Sequence, residues 1–272
     1  MSPPKPIHST ETKARQVLRQ NLGKHLNCPK CARKKYVRKL KGSDKRYHCT
    51  KCRYKFSLKI ATGFKHANLS YRQIYHTMRC FSDDKTLKDV RDWADVSYPT
   101  ARLGYDRIRI HLERHQPVDK LFGRVICDES FVGRQKTGNQ ALLMGGVDDG
   151  FCETRLQVIP DRGQDSIEEF VHAHVEEASL VVSDGLDSYK ALPDMGYGHE
   201  YEVHVDGQFE LTTDIERVWA LFDTMITRSY HHITKEKLPD YAVEFQYKFN
   251  HRKQRRNPLY LAKILSLPVP DP

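Results

Sequence analysis

The sequence predicts an α/β chain: a mixed sheet with flanking helices, preceded by a small cysteine-rich ribbon and a short helical module. Three observations predict it. Two Cys-x-x-Cys pairs stand near the front, three short helical stretches follow them, and from residue 121 apolar strands ending in carboxylates alternate with amphipathic helices. With 272 residues, 39% of them hydrophobic, the chain is long enough for one large domain and one or two small ones.

Charge divides along the same line. Residues 1–120 hold 29 Lys and Arg against 10 Asp and Glu, whereas residues 121–272 hold 16 against 25. A basic front joined to an acidic back suits a polyanion-binding arm attached to a domain able to hold divalent cations. No stretch approaches the roughly 20 apolar residues of a membrane span. No G-x-x-x-x-G-K-S/T phosphate loop is present, and Met1–Thr10 lacks the apolar core of a secretory signal. Membrane, ATP-driven and secreted classes are thereby set aside, and an intracellular protein is expected.

After an N-terminal arm (residues 1–25), residues 26–66 hold Cys28-Pro-Lys-Cys31 and Cys49-Thr-Lys-Cys52, with 17 residues between the pairs. Two such knuckles complete a four-thiolate tetrahedron with no open position, which is a structural zinc site. Lys35–Leu40, Arg46–Cys49 and Arg53–Phe56 alternate like short strands, so the unit reads as a zinc ribbon that needs its metal to fold. A redox pair of the thioredoxin kind would leave the second Cys-x-x-Cys unexplained. Arg46, Lys51, Arg53 and Lys55 are its candidate phosphate contacts.

Residues 67–118 carry helical periodicity over Leu69–Phe81, with Ser70 as N-cap, then over Thr86–Ala94. A turn at Asp95–Ser97 leads into a third helix, Tyr98–His115, with Pro99 in its first turn. This is the helix-turn-helix plan, in which the second helix of the motif enters the major groove; an ordinary three-helix packing module shares the pattern. Tyr98, Thr100, Arg102 and Arg107 are placed nearest DNA.

Residues 119–256 form the sheet domain. Strands are expected at Gly123–Glu129, Ala141–Val147, Glu153–Ile159, Leu180–Asp184 and Tyr201–Val205. Helices are expected at Ser166–Ala178 and Thr213–Arg228. The order β-β-β-α-β-(short α)-β-α, with Asp128 ending the first strand and Asp184 the fourth, is that of an RNase H-like fold. In it these two strands are neighbours. Asp128 and Asp184, joined by Glu216 from the last helix, would hold Mg²⁺ or Mn²⁺ for phosphoryl transfer. Glu129 faces the other side of the sheet, because adjacent strand residues alternate. Residues 257–272 are read as a Pro-rich tail.

Taken together, these residues resemble the zinc-ribbon DDE transposases of bacterial insertion sequences called ISXO-like, related to eukaryotic Merlin elements. The resemblance spans roughly residues 26–252. It rests on the two knuckles, TGF at 62–64, CDESFVG at 127–133, VVSDGLDSY at 181–189, IERVW at 215–219, SYHHIT at 229–234 and FNHR at 249–252. It implies a DNA-binding enzyme of transposition and recombination that cleaves and joins strands at element ends with Mg²⁺ or Mn²⁺. Asp128 and Asp184 are the implied metal ligands, and Glu216, or alternatively Asp214, the third. Double-stranded DNA (terminal inverted repeats and target) is the implied partner, handled by a homodimer or higher synaptic assembly. The implied location is the cytoplasm at the nucleoid in a bacterium, or the nucleus in a eukaryotic relative. Two positions depart from the family pattern: Thr213 stands at the Asn place and Asp223 at the lysine place. A second reading is therefore a transposase-derived DNA-binding protein or regulator with eroded catalysis.

Overall fold

The computed structural model describes residues 10–22, 26–41, 46–61, 63–65, 67–150, 152–201, 212–253 and 261. The chain divides into two units, one reaching to His115 and taking up the residues from Arg252 onward, the other Gln116–His251. No helix among the described residues is long and apolar enough to cross a membrane.

The first unit starts with helix α1 (Glu11–Leu22), inside the stretch read as an arm. It is followed by three short strands, β1 (Val37–Lys39), β2 (Tyr47–Cys49) and β3 (Lys55–Phe56), paired antiparallel in the order β1-β2-β3. Helices α2 (Tyr71–Ser82), α3 (Leu87–Ala94) and α4 (Tyr98–Glu113) complete it. Each has the N-cap its sequence offers. Ser70 accepts from the Gln73 amide and Thr86 from the Asp89 amide, both as reciprocal capping boxes, and Ser97 accepts from the Thr100 amide. Asp95, left-handed at φ 55°, ends α3 and leaves the expected three-residue turn to α4. The Glu11 carboxylate accepts the Tyr71 and Arg72 amides at 3.0 and 2.8 Å, so α1 satisfies two donors at the start of α2. Ile74, Met78, Phe81, Val90, Tyr105 and Ile108 form the buried side of the three helices.

The second unit is a five-stranded mixed sheet. Its strands are β4 (Arg124–Arg134), β5 (Asn139–Asp148), β6 (Thr154–Ile159), β7 (Leu180–Ser183) and β8 (Gly198–Tyr201), in the order β6-β5-β4-β7-β8. The first three form an antiparallel meander, while β7 and β8 run parallel to β4. Helix α5 (Gln164–His174) connects β6 to β7; α6 (Thr213–Met225) and α7 (Leu238–Asn250) follow the sheet. This order is that of the RNase H-like fold.

Two apolar clusters, one per face, enclose the sheet. Cys127, Met144 and Val181 join Ile167, Phe170 and Val171 of α5 on one side. Ile126, Leu143 and Val182 join Ile215, Val218 and Phe222 of α6 and Phe245 of α7 on the other. Successive residues of each strand thus serve opposite layers.

The bounds differ from expectation in informative places. The first strand does not end at Asp128 but runs on to Arg134, because a ten-residue ladder with β5 carries the hairpin past the carboxylate. The fifth strand starts at Gly198, three residues early; positions 202–205 lie outside the described residues. The helix expected to run to Arg228 changes to a π turn over Ile226–Tyr230.

Candidate active site and metal-binding cluster

The ribbon's two knuckles are built alike. In each, the residue after the second cysteine is left-handed, Ala32 at φ 54° and Arg53 at φ 59°. Its amide returns to the carbonyl of the first cysteine, Ala32 to Cys28 and Arg53 to Cys49, at 2.8 Å in both cases. The turns bring the Sγ atoms of Cys28 and Cys52 to 3.4 Å and those of Cys31 and Cys49 to 3.7 Å. All four lie within 4.8 Å of one another. A tetrahedron with Zn–S of about 2.3 Å needs S–S separations of roughly 3.8 Å, so this cluster fits a zinc ribbon. The thiols differ in ease of ionisation. Burial pushes Cys28 up to about 12. Amide donation, led by Cys52, draws Cys49 down to about 6.

Around the cluster, Arg46, Lys51, Arg53 and Lys55 are all exposed. On α4, Tyr98 is half exposed and Arg102 exposed. Thr100 shares a 2.8 Å hydroxyl contact with Ser97 at the helix start. Arg107 is half-buried and donates to the Lys65 carbonyl at 3.2 Å, which ties α4 to the segment before α2.

In the sheet domain the register decides the geometry. Strand β4 pairs with β7 as Arg124 with Leu180, Val125 with Val181 and Ile126 with Val182. Continuing that register two residues sets Asp184 beside Asp128, both on the face that carries Ile126 and Val182 and is covered by α6. Asp184 follows the short β7 and closes a turn, its Oδ1 accepting the Leu186 amide at 3.1 Å, with Gly185 at φ 83°.

Asp128 is held from the helix. Trp219 Nε1 donates to its Oδ2 at 2.8 Å. The indole reaches that far because the residue opposite Asp128 on β5 is Gly145. A Cβ there would lie 2.7 Å from the Trp219 ring, so only glycine leaves room. Burial raises the Asp128 pKa; the Trp219 donor and the Glu129 amide lower it, and the Asp184 charge raises it again.

Behind the pair, on the opposite face, Glu129 is buried. It accepts the Tyr189 hydroxyl and, at 3.0 Å, Arg162 Nε. Burial raises its pKa, and the Tyr189 and Arg162 donors oppose that. Arg162 extends past Glu129 to within 3.9 Å of Asp184 Oδ2. A fixed guanidinium therefore links the buried glutamate to the second aspartate.

Glu216 is exposed, one turn before Trp219 on α6, whereas Asp214 is paired with Arg217 at 2.9 Å. Asp128, Asp184 and Glu216 do not close to within 4.8 Å of one another; among the described residues the four cysteines are the one set of three or more such donors that does. Thr213 and Asp223 stand on α6 too, Asp223 exposed. Trp219, Gly145 and Arg162 are the residues sequence reasoning missed. Consecutive glycines at 145 and 146 inside an apolar strand were a usable signal of close approach.

Sheet order and paired aspartates define an RNase H-like domain. Residues 120–250 match the family model described as the ISXO2-like transposase domain. That stretch, just under half of the chain, is similar to the transposase domain of that family. No curated protein matches the sequence significantly. Three solved structures align at low similarity. A chain of the simian T-cell lymphotropic virus intasome in complex with PP2A regulatory subunit B56 gamma is 10% identical, with 47% of this chain and 49% of that chain covered and a TM-score of 0.34. The HTLV-2 integrase catalytic core domain in complex with magnesium is 9% identical, with 46% and 84% covered and a TM-score of 0.32. The BIV integrase catalytic core domain is 12% identical, with 44% and 80% covered and a TM-score of 0.31. The chain thus spans about half the length of the intasome chain it matches.

Proposed function

We propose that this protein is a DNA transposase that binds element ends and performs metal-dependent strand cleavage and transfer. The observation that carries the reading is the parallel β4–β7 register, which, continued two residues past Ile126 and Val182, would bring Asp128 beside Asp184 in the segment that matches the transposase family model. Arm, zinc ribbon and helix-turn-helix-like module would bind double-stranded DNA through their basic surfaces, and the sheet domain would act on the phosphodiester. Two ends handled together call for a homodimer or larger synaptic assembly. In a bacterium it would work at the nucleoid, in a eukaryotic relative in the nucleus.

The donor set fits a hard cation. The Asp128 carboxylate, its pKa raised by burial, would favour its charged form beside a divalent ion, and Asp184 offers a second oxygen donor. Asp128 and Asp184, with Glu216 as third ligand, would hold Mg²⁺ or Mn²⁺, which supplies positive charge to the attacking and leaving oxygens of an in-line displacement. Trp219 fixes the rotamer of Asp128, and the Leu186 amide fixes that of Asp184. Arg162, paired with Glu129, reaches from the other face of the sheet toward Asp184. In the first step a water oxygen bonds to phosphorus and the P–O3′ bond breaks, freeing a 3′-hydroxyl and leaving a 5′-phosphate. In the second that hydroxyl attacks a target phosphodiester, whose own 3′-oxygen leaves.

A second reading, DNA binding with eroded catalysis, rests on Asp223. It is an exposed anion on the side of α6 that carries Trp219, where phosphate would approach. Cleavage of labelled duplex carrying the element's own ends, with Mg²⁺ or Mn²⁺, separates the two. Under the first reading nicking at the boundary falls at least about a thousandfold in Asp184→Ala, several kcal/mol of transition-state stabilisation. Specific binding without cleavage by the unaltered protein selects the second.

A further inference from the structure

Past the carboxylates, on the opposite face of the sheet, the β4–β5 hairpin has an uncovered end. Cross-strand rows run from β4 through β5 to β6 on the α5 face, and one of them is Phe131, Leu142, Ile159. Leu142 and Ile159 are buried, but the Phe131 ring is 58% exposed, although it points to the same side as buried Cys127 and Glu129. An open cavity of about 480 Å³ lies over this row, walled by Pro160, Gln140 and Arg162. The Arg162 guanidinium lies over one face of the Phe131 ring, 6.0 Å from its centre, while Phe131 as a whole stays 58% exposed.

We infer that this cavity receives one unpaired nucleobase of the DNA strand being processed, stacked on Phe131 beside Arg162. The inference rests on the transposase reading, since it names a contact of the same substrate. Three features select a base over a phosphate or an apolar peptide. The exposed aromatic floor offers a π face, which every base can stack on and a phosphate cannot use. Arg162 is already neutralised by buried Glu129 at 3.0 Å, so it presents a planar, donor-rich edge with little net charge to offer an anion. Gln140 and Asp161 also line the cavity, polar residues that suit a base better than an apolar side chain, although one Asp161 oxygen already accepts from Gly163 and Ser166. Arg162 also comes within 3.9 Å of Asp184, so a base held there belongs to a nucleotide near the reacting phosphodiester.

The test uses the full chain and short duplexes carrying one iododeoxyuridine, either paired or placed in an internal bubble. Irradiation should cross-link the unpaired probe to Phe131, identified by peptide mass spectrometry. The unaltered protein should prefer the bubble probe to the paired one by about tenfold, which is the scale of one base–aromatic stack. That preference should collapse toward unity in Phe131→Ala and return in Phe131→Trp; thermal melts of both variants check that they fold. Cross-links confined to other residues, equal cross-linking of the paired probe, or an undiminished preference in Phe131→Ala would each overturn the pocket. If such a preparation still cleaves element ends, the transposase reading stands without it. Failure of the unaltered protein to bind either probe would remove both.

Discussion

In the ribbon, four cation donors stand on two five-residue turns that a reader can mark on the sequence. In the sheet domain, Asp128 and Asp184 come from distant strands and meet only through the pairing of β4 with β7. The two sites also differ in what surrounds them. The knuckles are closed by local hydrogen bonds, with few apolar neighbours of their own: Leu26, Tyr47 and Phe56 are the buried apolar residues nearest the cysteines in sequence. The acid pair is backed by two apolar clusters and held by Trp219, Arg162 and a buried glutamate. A site of the first kind depends on its ion for its fold. One of the second kind is held by the fold, which bears the cost of holding charge near the core.

This contrast is sharpest under substitution. The largest effect is expected in the ribbon. Cys49→Ser should lower bound zinc from one per chain and unfold residues 26–66, because structural zinc in such small units is worth about 10–16 kcal/mol of apparent binding. Metal analysis with circular dichroism checks this, and a variant that keeps both its zinc and its ribbon signal would break the comparison.

Smaller, and confined to the sheet domain, is the effect of Gly145→Ala. Its methyl would press on the Trp219 ring at 2.7 Å. A loss of about 1–3 kcal/mol in urea unfolding is expected, with slower cleavage and unchanged zinc content. A neutral result would mean that the indole moves aside freely and does not position Asp128.

Asp128→Asn should go the other way. Burial raises the folded-state pKa of Asp128 above its unfolded value, so the group favours folding when protonated. That contribution is complete below the unfolded pKa and is lost as pH rises through the raised folded value. At neutral pH the ionised carboxylate therefore costs stability. The asparagine variant should unfold at a higher urea concentration at pH 7, and the gain should shrink as pH falls toward about 4. An equal gain at both pH values would show that charge burial is not its source.

The smallest effect concerns the departure at α6. Asp223→Lys replaces an exposed anion by a cation and should tighten DNA binding several-fold, with a steeper salt dependence by about one released ion. No change in either would place Asp223 away from the DNA path and weaken the eroded reading.

The helical module was legible because its signals are local. Ser70, Thr86 and Ser97 cap the helices that follow them, and the Asp95–Ser97 turn is as expected. Asp128 and Asp184 were legible as strand-associated carboxylates, and their meeting was expected from the neighbouring first and fourth strands. The end of the first strand was not legible, since how far β4 runs depends on ten partners in β5. Nor was the role of Arg162, because a lone arginine after Pro160-Asp161 carries no mark of the buried Glu129 waiting for it. Glu216 was picked from the last helix and the family resemblance and stands exposed on α6, whereas Trp219, one turn on, is the α6 residue that hydrogen-bonds Asp128.

By itself the sequence determined a four-cysteine ribbon, three helices with the first one's cap, a basic front, an acidic back and the two aspartates. These follow from neighbours within a few residues, where chain geometry leaves little choice. Only the tertiary structure decided that Gly145 makes room for Trp219, that Arg162 joins Glu129 to Asp184, and that Phe131 lies open at the end of a buried row. Each of those depends on side chains from separate strands and helices meeting in space, which is settled by packing and register, not by local spacing.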